Sequence, residues 1–125
     1  MNKIFFRVLI FSFLVFPKIT FAQTGTLTLN DVTIPPIFPG GESKLNQFVA
    51  ANFVSPEIEG ANGLIKISFV IEIDGSLTNI KIVQNLGDEF AQAAKNVFIK
   101  SPKWLPGELN GEKVRVLTNY PINIR

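Results

Sequence analysis

The chain has 125 residues, with 12 lysines and arginines against 10 aspartates and glutamates, and neither cysteine nor histidine. That length allows one domain with one modest core, which must hold by burial alone without disulfides. The missing histidine removes the commonest metal ligand and the commonest general base near neutral pH, and the missing cysteine excludes thiol chemistry and a lipid anchor on cysteine.

The first segment reads as a targeting sequence. Lys3 and Arg7 open it, Val8–Phe16 is a short apolar run, Pro17 interrupts, and Thr20-Phe21-Ala22 offers a small-residue exit. This is the order of a secretory signal peptide cut after Ala22, which predicts a periplasmic or otherwise exported protein. The alternative is an uncleaved N-terminal segment anchored in the inner membrane, although Ile4–Phe16 falls well short of the roughly 20 apolar residues of a membrane helix. Removal of residues 1–22 takes away Lys3, Arg7 and Lys18 and leaves nine bases against ten acids. A net charge near −1 withdraws the electrostatic premise for nucleic-acid binding.

Residues 23–37 read as a short leader ending at Pro35-Pro36, and the domain is expected over 38–125. Phe38-Pro39-Gly40-Gly41 is a turn. Ser43 then caps a predicted helix over Lys44–Phe53, with Leu45, Phe48, Val49 and Phe53 on one face. Leu64–Ile73 alternates, with Ile65, Ile67, Phe69, Ile71 and Ile73 to one side. Asp74-Gly75 predicts a two-residue hairpin that pairs Ile73 with Ser76, Phe69 with Ile80 and Ile67 with Ile82, the return strand being Ser76–Val83. Asp88 caps a second predicted helix, Glu89–Lys100, whose apolar stripe is Phe90, Ala94, Val97 and Phe98. After Trp104, held between Pro102 and Pro106, the last strand is expected over Lys113–Arg125, with Val114, Val116, Tyr120, Ile122 and Ile124 inward. Pro121 lies inside that strand, which places it at a sheet edge. The expected fold is α+β: a three-stranded antiparallel sheet in the order 2-1-3 with both helices on one face.

These residues resemble the C-terminal domain of TonB, the periplasmic arm of the Gram-negative energy-transduction system. The resemblance is carried by Phe38–Gly41 (FPGG), Ser68–Leu77 (SFVIEIDGSL), Ser101–Val116 (SPKWLPGELNGEKVRV) and Tyr120–Arg125 (YPINIR), in the family's order. Ser55-Pro56 stands where the family usually carries Tyr-Pro. The resemblance implies binding of an extended peptide, the TonB box of an outer-membrane receptor, as a strand added to the sheet, or binding of another periplasmic protein. An energy-transducing member has a membrane helix and a long Pro-rich spacer, so the short N-terminal segment here implies a receptor-facing module that does not itself transduce energy.

Physics supplies the same site. An edge strand exposes unpaired N–H and C=O groups that an extended chain can satisfy. Because Pro121 removes a donor, pairing is expected over Val114, Arg115, Val116, Leu117, Thr118 and Asn119. The alternative use of the same edge is a homodimer with the sheet continued across a two-fold axis. Catalysis is not expected. Adjacent Asp88 and Glu89 do not face one another on a helix, Glu57 and Glu59 flank a turn, and Ser43 and Ser101 have no histidine to activate them. Asp74 has no spaced acidic companions for calcium, and no Gly-rich phosphate loop follows a strand. No cofactor, metal or small-molecule substrate is implied.

Overall fold

A computed structural model of the chain describes residues 25–125. The element order is β1 (Leu27–Thr28), α1 (Glu42–Asn52), β2 (Gly63–Ile71), β3 (Leu77–Gln84), α2 (Asp88–Ile99), β4 (Gly107–Leu109), β5 (Glu112–Val114) and β6 (Val116–Ile124). The signal-peptide expectation falls on residues 1–22, outside the described part of the chain.

The alternation in residues 63–71 forms the central strand. β2 runs antiparallel to β3 on one side and to β6 on the other, and the β2–β6 ladder pairs nine consecutive residues from Gly63↔Ile124 to Ile71↔Val116. This is the expected 2-1-3 arrangement, with one correction: the sheet has four strands in the order β1-β6-β2-β3, because Leu27–Thr28 of the leader adds in parallel to Val116–Leu117. The sheet is therefore mixed, not purely antiparallel. A two-residue strand carries no readable alternation, which is why it escapes a period-based reading.

The leader is part of the fold. Thr33 and Ile34 donate their N–H groups to Glu108 O at 2.9 and 3.0 Å, and Ile37 and Leu105 exchange reciprocal main-chain bonds of 3.0 and 2.8 Å. Asn110-Gly111, both with positive φ, close a separate β4–β5 hairpin in which Leu109 opposes Glu112. Val114 thus belongs to this hairpin and not to the last strand, a second correction.

The β2–β3 turn also departs from the expected geometry. Glu72 N–H donates to Ser76 O and Gly75 N–H to Glu72 O, so the loop is three residues long and the last ladder pair is Ile71↔Leu77. Ile73 is consequently loop and half-exposed instead of inward and paired with Ser76. The cause is Trp104, whose N–H donates to Gly75 O at 2.8 Å. A Cβ on Gly75 (φ 89°) would lie 2.0 Å from Trp104 O, so only glycine admits this approach. Further along, Ile67 opposes Ile82 as expected. Phe69, however, meets an irregularity where Asn79 takes φ 51°, and does not pair with Ile80.

Both helices begin one or two residues earlier than expected. Gly41 and Gly87 stand at the N-caps with φ of 92° and 134°, and neither Ser43 nor Asp88 caps by its side chain. The helices cover one face of the sheet. Phe69 stacks on Phe98 at 4.9 Å, and Trp104 meets Phe38 and Phe69 edge-on at 5.4 and 5.7 Å. Phe69, Phe90, Phe98, Ile65, Ile67 and Ile71 are fully buried, each contributing about 1.5–3 kcal/mol. Trp104 is buried, and its indole N–H reaches Ser101 Oγ at 2.9 Å.

Candidate functional site

The outer side of β6 is set by its pairing with β2. Leu27 N–H donates to Arg115 O at 2.9 Å, on the side away from β2. Main-chain groups alternate sides along a strand, so Leu117, Asn119, Pro121 and Asn123 direct theirs outward. Pro121, opposite Lys66 on the inner side, therefore places its missing donor on the outer edge, where it costs no ladder bond. Beyond Leu117 no described segment pairs with that edge, and Asn119, Pro121 and Asn123 are exposed.

This corrects the expected extent of the free edge. Of Val114, Arg115, Val116, Leu117, Thr118 and Asn119, Asn119 is the one whose outward main-chain groups lie wholly clear of the β1 pairing. Val114 is bonded within β4–β5, Arg115 O and Leu117 are engaged by β1, and Val116 and Thr118 pair with β2 opposite Ile71 and Phe69. The stretch left open by the described residues is Asn119–Asn123, which extends past Pro121. A proline lacks a donor but keeps its carbonyl acceptor.

The Arg115 side chain is engaged as well. Its Nε and Nη2 donate to Glu72 Oε1 and Oε2 at 2.7 and 3.0 Å, and Thr78 Oγ1 donates to the same carboxylate. The Arg115 guanidinium, then the Thr78 hydroxyl, hold the Glu72 carboxyl below its usual range. Leu117 stands outward and 42% exposed beside this pair.

Two depressions line the helix side of the open edge. The first, about 620 Å³, lies between Thr118–Pro121 and the Pro35–Phe38 segment, floored by Phe69 and Trp104. The second, about 280 Å³, lies between Tyr120–Ile124 and Val49 and Ala50 of α1, with Phe53 just beyond its end. A hydrogen bond from the Tyr120 hydroxyl to Asn46 Oδ1 separates them. Burial, and then the neighbouring Glu42 carboxylate, push the Tyr120 hydroxyl pKa up. Among the described residues no cluster of three or more acidic side chains could hold a metal. Sequence reasoning missed Asn46, Glu42 and Asn123 because each is an ordinary polar residue on an exposed face. The Thr28–Asp31 turn was the one local signal that the leader is structured.

The family model described as the Gram-negative bacterial TonB protein C-terminal matches residues 57–124. The chain belongs to the TonB C-terminal domain family. Two solution structures of the Helicobacter pylori TonB C-terminal domain are similar to it. One is 28% identical, covering 66% of this chain and 77% of that one with a TM-score of 0.49; the other is 26% identical, covering 66% and 90% with a TM-score of 0.45. A search of curated proteins finds no match for the sequence. TonB C-terminal domains are non-enzymatic interaction modules that engage outer-membrane receptors, which associates this chain with the cell envelope. No helix among the described residues is long and apolar enough to cross a membrane.

Proposed function

We propose that this TonB C-terminal domain is an exported docking module that receives an extended receptor peptide, of TonB-box type, as an added strand on the outer side of β6. The observation that carries the reading is the exposed Asn119–Asn123 edge, regular in its pairing to β2 and paired on its other side with no described segment. Backbone pairing supplies affinity there, and Leu117 and Arg115 border the strand's start. Cleavage after Ala22 delivers the module to the periplasm, and the mass of the mature protein checks that.

The test is a titration of the domain with a receptor-box peptide, read by amide chemical shifts. Shifts concentrated at Asn119 and Asn123 support the assignment, and Asn119→Pro, which deletes an outward donor, lowers affinity about tenfold. Shifts confined to β3 would sink it. Concentration-dependent sedimentation without peptide would instead point to the same edge pairing with a second copy.

A further inference from the structure

The open edge and the two depressions beside it form one continuous surface, and their layout specifies what can lie there. Resting on the docking reading above, the inference concerns which side chains the incoming strand must carry. A strand added to β6 alternates its side chains, so every second one turns toward the helices. On β6 the residues facing that way are Thr118, Tyr120, Ile122 and Ile124, of which Ile122 and Ile124 are buried. Tyr120 is spent on the hydrogen bond to Asn46, which stands as a partition between the two hollows. The first hollow therefore opens at the level of Thr118 and the second at the level of Ile122. Those levels are four residues apart, about 13 Å along a strand.

The chemistry of the hollows is uneven. Phe69 and Trp104 floor the first, while Val49, Ala50 and Phe53 wall the second. Among the residues lining the two, Glu42 is the one charged side chain, and it forms no ion pair with a described residue. It is exposed in the first turn of α1. The surface thus offers two apolar seats and, beside the first, one negative charge with no ion-pair partner among the described residues.

We propose that the outer side of β6 selects an extended partner segment carrying apolar side chains at positions i and i+4, seated on either side of the Tyr120–Asn46 hydrogen bond, with a cationic side chain next to the first. Position i+2 lies over the partition and is indifferent to side-chain size up to threonine or valine. The occupant is an extended segment of another protein, with its cation set against the Glu42 carboxylate. The four-residue spacing excludes a helical segment, whose residues i and i+4 lie only about 6 Å apart.

The decisive probes are two threonine-rich peptides of equal composition, each with one lysine beside the first of two isoleucines. The isoleucines stand four residues apart in one peptide and three apart in the other. Three-residue spacing turns the second isoleucine to the opposite face, so the four-residue peptide binds about tenfold tighter. Ala50→Trp, on an exposed position of α1, fills the second hollow and removes that preference. Glu42→Lys inverts the sign of the first seat, so that a probe with glutamate in place of lysine becomes the better ligand. Should Ala50→Trp misfold by circular dichroism, the Glu42→Lys inversion carries the decision on its own. Equal affinities for both spacings, with amide shifts still at Asn119 and Asn123, overturn this inference and leave edge docking standing. Absence of shifts at those two amides with every probe overturns the docking reading itself.

Discussion

The sheet has two margins, and they differ in how regular a row of hydrogen-bonding groups each can show. β3 is shifted twice against β2, once between Lys66 and Ile67 and once between Ser68 and Val70, where Asn79 enters the left-handed region at φ 51°. Such irregularities twist a margin and break the even spacing that an added strand needs. β6 keeps nine unbroken pairs with β2 and is blocked over only two residues by β1. Protection of β3 is thus built into its own backbone, whereas protection of β6 comes from two residues of the leader. A margin guarded in the second way can still be used by a partner.

The largest expected effect comes from loosening what holds the β6 margin in place. The chain reaches β4–β6 from α2 through Trp104, whose N–H is fixed to Gly75 O and whose ring fills the space between Phe38 and Phe69. Gly75→Ala places a methyl group against Trp104 O and a side chain at φ 89°, so it destabilises the domain by about 3 kcal/mol, measured by urea unfolding. A loss below about 1 kcal/mol would show that the turn can relax away from the tryptophan, and that the margin does not depend on this junction.

A smaller effect separates the two margins directly. Asn79→Ala forces an alanine into the left-handed region and costs about 1 kcal/mol, while Asn79→Gly is close to neutral. Neither change alters peptide affinity if docking belongs to β6. Peptide binding that followed the Asn79 substitutions would move the site to β3.

Much of this was legible in the residues. Alternation placed β2, β3 and β6, and helical spacing placed both apolar stripes; Pro121 predicted that β6 is an edge strand, whereas β6 lies between β1 and β2 and is left unpaired by the described segments only beyond Leu117. Three features were not. The Asp74-Gly75 pair reads as a tight two-residue hairpin, but the distant Trp104 backbone decides the turn. The Asn110-Gly111 turn splits Val114 from the last strand, although the alternation of Val114 and Val116 runs straight across the break at Arg115. The leader strand depends on two residues whose only local signal is a turn after them. In the first and third cases a contact between segments far apart in sequence overrode a local pattern; in the second, a local hairpin overrode the alternation. The candidate site suffered most, because its extent depends on what already pairs with it and not on its own residues.

That leader turn supplies the mildest and most specific test. The Asp31 carboxylate accepts hydrogen bonds from the Thr28 N–H and hydroxyl, both at 2.9 Å, and these bonds, the backbone one first, lower its pKa. A group whose folded pKa is depressed stabilises the structure above its ordinary value, 3.8 here, and loses that contribution as the pH falls through the lower folded value. Acidification, or Asp31→Ala at neutral pH, therefore unties Thr28 while leaving the Thr33, Ile34 and Ile37 bonds of the leader intact. The expected outcome is faster amide exchange at Leu117, by about tenfold in the variant at fixed pH, with the urea midpoint of the whole domain hardly moved. Affinity for a receptor-box peptide should rise at the same time, because the added strand can then extend from Asn119 back to Leu117. If Leu117 exchanges faster without any gain in affinity, β1 is a structural end-piece and the peptide's register begins at Asn119.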